Sequence, residues 1–108
     1  MSILRRLLPL AVIALPLFAG PALAQSDPSF RLNNRTGATI NEVFVSSSAS
    51  GGWGNDRLGA NVLNSGQFLT INLPNGQCMN DIRVVYANGR SQEWRQQNTC
   101  AVTDFNVN

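Results

Sequence analysis

Few side chains in this chain are suited to chemistry, and segment 53–59 gathers the best of them. Trp53-Gly54-Asn55-Asp56-Arg57-Leu58-Gly59 sets an indole beside a carboxylate and a guanidinium, directly after the Ser/Gly-rich stretch 46–52. An aromatic anchor with flanking charges is the composition that dominates binding hot spots. Trp53, Asp56 and Arg57 are therefore the candidate binding residues. A plainer reading of the same residues has Trp53 and Leu58 plugging one end of the fold, Asp56 capping a turn and Arg57 pairing with Asp56. The two readings are compatible.

Catalysis is argued against by what is missing. The chain contains no histidine, so Ser-His-Asp and Cys-His triads are impossible and most metal-hydroxide mechanisms lose their usual ligand. Cys78 and Cys100 are its only cysteines; two cysteines without histidine cannot complete a zinc shell. A two-carboxylate hydrolase would need a pair such as Asp56 and Asp81 facing each other across a cleft, but isolated acids in a small domain are more often solvated or turn-forming. No catalytic residue, metal or cofactor is expected. Calcium is a weaker alternative: Asn55, Asp56 and Asp81 are hard oxygen ligands, yet the ion takes about six to eight of them and no loop has spaced D-x-D. Trp94 with Arg83 and Arg95 offers a cation–π surface for carbohydrate or peptide, although a mid-strand Trp94 is better placed in the core. Asn34-Arg35-Thr36 matches a glycosylation sequon, read here as a chance match beside a leader of bacterial type.

That leader sets the compartment. Arg5 and Arg6, the apolar run 7–19 and the small-x-small ending Ala22-Leu23-Ala24 read as a signal peptide over 1–24. The run is about 13 residues, short of the ~20 that span a bilayer, and Pro9 and Pro16 interrupt it. Gln25 stands where a lipoprotein would carry its lipidated cysteine, so no membrane anchor is expected after cleavage. The paired arginines admit the twin-arginine route, but Leu4, Pro9 and the very apolar run favour general secretion. A periplasmic or secreted product follows, and in that oxidising setting Cys78 and Cys100 read as a disulfide. Cleavage also removes the formal charge of +2. Arg31, Arg35, Arg57, Arg83, Arg90 and Arg95 then balance Asp27, Glu42, Asp56, Asp81, Glu93 and Asp104. Scattered, matched charges exclude nucleic acid as the main partner, because that requires clustered positive charge.

The elements that must hold these residues are strands. Period-2 alternation marks 30–33, 40–46, 68–73, 81–86, 90–96 and 102–107, and 58–63 is a seventh, short candidate. Asn88-Gly89 between two β-prone runs predicts a type I′ hairpin. The expectation is a single domain, 25–108, folded as a small antiparallel β-sandwich of immunoglobulin-like type with six or seven strands. A core of this size is marginal without a staple, and the disulfide supplies one worth about 3 kcal/mol.

Asn34-x-Thr36-Gly37-x-x-Ile40, Val43-x-Val45-Ser46, Trp53-Gly54-x-Asp56-x-Leu58-Gly59 and Cys78-x-x-Asp81-Ile82-Arg83-Val84-Val85-Tyr86-x-x-Gly89-Arg90 resemble a family of small exported bacterial proteins. Met79 and Asn88 depart from its pattern, where a tyrosine and an acid are expected. The resemblance implies export but no established biochemical role. Some proteins that look like this carry the label argininosuccinate lyase. A lyase of that kind is a large helical tetramer with a catalytic histidine, so this small histidine-free β domain does not support the label. The expected function is a disulfide-stapled binding or structural module of the bacterial envelope, a monomer meeting an envelope protein or a glycan. The alternative is a small-ligand or Ca²⁺ binder, with an enzyme third.

Overall fold

A computed structural model describes residues 27–108; the signal-peptide reading of 1–24 lies outside them. Six strands follow one another: β1 (Phe30–Asn34), β2 (Ile40–Ser47), β3 (Phe68–Ile71), β4 (Met79–Tyr86), β5 (Ser91–Asn98) and, after a 3₁₀ turn at Thr99–Ala101, β6 (Asp104–Val107). They form two three-stranded sheets, ordered β3-β1-β6 and β2-β4-β5, packed as a sandwich.

The alternation in sequence is the alternation in burial. Phe30 and Leu32 of β1, Val43 and Val45 of β2, Ile71 of β3, Ile82 and Val84 of β4 and Val107 of β6 all point into one core. Burying each such side chain contributes roughly 1.5–3 kcal/mol. Trp94 joins from β5, edge-to-face with Phe105 at 5.1 Å, and Phe105 meets Phe30 at 6.2 Å. This aromatic row closes the sandwich where β5 lies over β6.

Three local expectations need correcting. β1 and β6 pair in parallel, Arg31 opposite Asp104 and Asn34 opposite Val107, whereas the other pairings are antiparallel. Parallel neighbours need a long crossover, and these two strands lie at opposite ends of the described chain, so everything between them serves as the connection. Segment 58–63 is not a strand. It makes one bridge, Ile40 to Leu63, because Gly59 at φ 60° turns the chain; Leu58 and Leu63 are nevertheless buried, as plugs on the open side between β2 and β3. The β4–β5 hairpin has a three-residue loop, 87–89, closed by Tyr86 N–H to Arg90 C=O at 2.8 Å. Only Gly89, at φ 90°, is left-handed there, so the turn is not type I′, which needs two such residues.

Two fixtures hold the loops. The Cys78–Cys100 disulfide, with Cα atoms 5.0 Å apart, ties the residue before β4 to the 3₁₀ turn, where Asn98 Oδ1 accepts from Cys100 N at 3.1 Å. Asn34 is fully buried. Its Nδ2 donates to Ala38 O (2.8 Å) and Leu63 O (2.9 Å), and its Oδ1 accepts from Thr36 N and Thr36 Oγ1. One amide thus joins the β1–β2 turn to the plug segment. It also leaves no room for a glycan on the folded chain.

Candidate functional site

The loop after β2 carries the residues singled out from the sequence, and it sends them in different directions. Asp56 Oδ1 accepts from Val43 N (2.9 Å) and Leu58 N (3.0 Å), so the carboxylate caps the turn and fastens the loop to β2. Arg57 does not pair with it. Its guanidinium donates from Nη2 to Val45 O (2.9 Å) and from Nη1 to Asn72 O (3.4 Å). The reason is directional: each backbone N–H of this turn needs an acceptor, which takes Asp56, while Arg57 faces carbonyls of β2 and the end of β3.

Trp53 is half-buried, and its partner is Arg95. The guanidinium lies 4.6 Å from the indole centroid, within cation–π range. Arg95 is held from below by two carboxylates, Asp81 Oδ2 at 3.1 Å and Glu93 Oε1 at 2.9 Å. Glu93 also faces Arg83 Nε at 3.4 Å, a charge contact without hydrogen-bond alignment, and Arg83 lies 5.9 Å from the Phe44 ring centroid. The register explains the row, since β4 places Arg83 opposite Phe44 on one side and Glu93 on the other. Trp53, Arg95, Glu93, Arg83 and Phe44 thus alternate ring, cation, anion, cation and ring across the outer face of the β2-β4-β5 sheet.

Asp81 organises the end of this row. Its Oδ1 accepts from Ser48 Oγ (2.7 Å) and Gln96 N (2.9 Å). The Gln96 amide, then the Ser48 hydroxyl and Arg95, hold its carboxyl below the ordinary carboxylate range. With Ser48, Gln96 and Arg95 all donating to it, this carboxylate serves as a structural acceptor. Gln96 has φ 54°, the one non-glycine in the left-handed region among the described residues, and it sits near the register shift between Asn80 and Ile82. Such strain persists where surrounding contacts over-determine it, and Asp81 supplies the contact. Together Ser50, Gly51, Gly52, Trp53, Asp81 and Arg95 line a polar cleft of about 140 Å³, well below the ~300 Å³ at which enclosed ligand pockets begin. It suits one side chain or one sugar-sized group.

The other sequence candidates resolve as follows. Asp56 and Asp81 each serve their own donors. No group of three or more histidine, cysteine, aspartate or glutamate side chains among the described residues is placed to share a metal ion. Trp94 packs on the core and forms no pair with Arg83 or Arg95, whose rings are Phe44 and Trp53. Ser48, Glu93 and Gln96 are not among the residues the sequence singles out for a site. Alternation along β5 was signal enough for Glu93 and Arg95 to share an outer face, but nothing local announces the left-handed Gln96. No protein-family model, curated protein or solved structure matches the chain.

Proposed function

We propose that this is an exported, disulfide-stapled binding module of the bacterial envelope, acting without catalysis, whose working surface is the Trp53–Arg95 end of the β2-β4-β5 sheet. The observation that carries this reading is the cation–π pair itself, set over two carboxylates beside a Ser/Gly loop. A half-buried indole stacked by a pinned guanidinium is pre-organised, so a partner orders little on docking. The neighbouring polar groups offer both donors and acceptors, which fits an envelope protein or a glycan. Support for the location comes from the disulfide and from the leader read in the sequence.

The test is retention of envelope components on the immobilised oxidised protein, beside Trp53→Ala and Arg95→Ala variants whose fold is checked by far-UV circular dichroism. A component held by the wild type and lost by both variants supports the reading. Equal retention by all three proteins removes this face from consideration.

A further inference from the structure

A second surface, on the opposite side of the loop, points to a different kind of contact. Arg57, Leu58, Val62, Leu63, Phe68 and Leu69 are among the residues lining a groove of about 550 Å³ between the plug segment and β3. Its rim holds two of the most exposed large apolar side chains, Phe68 at 56% and Val62 at 48%.

Beneath that rim runs an open strand edge. Opposite Asn34, Gly66 N–H reaches Asn34 C=O at 2.7 Å while Asn34 N–H reaches Gln67 C=O at 2.9 Å. With Gly66 at φ 91° this is a glycine bulge, and it sets the parity of the ladder. Leu69 and Ile71, opposite Leu32 and Phe30, turn their backbone groups toward β1. Phe68 and Thr70 therefore turn theirs away from it, toward the groove side, and β3 has no second strand partner among the described residues.

The other free edges are protected in ways natural sheets use. Segment 57–63 covers β2 through Arg57 N to Val43 O and Leu63 N to Ile40 O. β5 carries Glu93, Arg95 and the Gln96 irregularity, and β6 carries Asp104 in an ion pair with Arg31. β3 reads Phe-Leu-Thr-Ile, with neither charge nor proline. At its far end stands Arg57, whose guanidinium contacts only the neutral carbonyls of Val45 and Asn72 and has no carboxylate partner among the described residues.

We infer that this groove takes an extended segment of a partner protein as an added strand on β3. The segment carries apolar side chains at alternate positions and a carboxylate at the end beside Arg57. Main-chain pairing to Phe68 and Thr70 gives the affinity, the Val62–Leu69 groove takes the apolar side chains, and the uncompensated guanidinium fixes direction. This surface is independent of the Trp53 face.

The probe is a capped hexapeptide, Asp-Val-Thr-Val-Thr-Val, with a counterpart N-methylated at alternate residues and a second beginning with Asn. Binding to the oxidised protein is measured by fluorescence anisotropy of a labelled peptide, beside Val62→Asp and Trp53→Ala variants. Saturable binding is expected, weakened at least tenfold by N-methylation and by Val62→Asp, about threefold by the Asn counterpart, and unchanged in Trp53→Ala. Equal binding of the N-methylated peptide, or none at millimolar concentration, overturns the inference. So does a sedimentation profile showing a dimer that Val62→Asp dissolves, since the occupant is then a second copy of the chain.

Discussion

Replacing Asn34 by aspartate changes one buried atom from donor to acceptor, and the structure gives that change a pH signature. The amide Nδ2 sits 2.8 Å and 2.9 Å from two carbonyl oxygens, Ala38 O and Leu63 O. In Asn34→Ala, four hydrogen bonds disappear. Each contributes about 1 kcal/mol net, and two of the acceptors keep other donors (Ile40 N for Leu63 O, Thr36 Oγ1 for Ala38 O), so a loss of about 2–4 kcal/mol is expected. For a domain this size that lowers Tm by on the order of 10–25 °C.

In Asn34→Asp the new carboxyl faces the same two carbonyls with no solvent, so its folded-state pKa rises above the unfolded value of about 3.9. Below that pH the group is protonated in both states and its O–H still reaches one carbonyl. As pH rises past 4 the unfolded state ionises first, so the folded state binds more protons and stability falls by up to about 1.4 kcal/mol per pH unit until the folded pKa is passed. Urea unfolding followed by tryptophan fluorescence between pH 3.5 and 7 measures this. The midpoint of Asn34→Asp should fall across the range while that of Asn34→Ala stays nearly parallel to the wild type. Parallel curves for all three proteins would refute the buried-hub assignment.

Three further outcomes are expected. Removing the disulfide as Cys78→Ala/Cys100→Ala opens a closure with a sequence separation of 22; the loss is about 3 kcal/mol, read as a Tm lower by on the order of 12–25 °C in scanning calorimetry. Wild-type stability should fall as pH drops below about 4, because Asp81, through the Gln96 amide, Ser48 and Arg95, and Asp104, through Arg31 and Asn33, have carboxyls held below the ordinary range. The unfolded state then takes up protons first, and an acid titration of the urea midpoint that stays flat to pH 3 contradicts this. At Gln96, glycine should be neutral or stabilising by up to about 1 kcal/mol, whereas valine should cost about 1–2 kcal/mol, both read from urea midpoints.

What could be read from the sequence was local. Strands announced themselves through alternation, so the inward faces of 30–33, 43–45 and 82–86 were legible, and two cysteines in a short chain left one pairing. Register between distant segments was not legible. Nothing near Arg31 tells that Asp104 lies beside it in parallel, and nothing near Trp53 tells that the bend of β5 brings Arg95 over its ring. Asp56 illustrates the intermediate case. Its type and its place before Leu58 point equally to a ligand-binding acid and to a turn cap, and only the positions of the Val43 and Leu58 amides decide that its donors are backbone. The motifs quoted for the family resemblance fall largely on such fixtures: Asn34 in its hub, Gly37 at φ 80°, Asp56 in its cap and Asp81 under the Gln96 bend. Residues that serve the fold this closely carry a pattern without naming a ligand.

The chain has two tryptophans, one in the proposed contact face and one against the core, and that contrast gives the most direct test. The indole N–H signals of Trp53 and Trp94 are assigned in ¹⁵N-labelled oxidised protein with a Trp94→Phe variant, and a solubilised envelope fraction is titrated in. The account expects the Trp53 signal to shift or broaden together with the Arg95 side-chain N–H, while Trp94 stays in place. A Trp53 signal unmoved while other surface residues shift would contradict it.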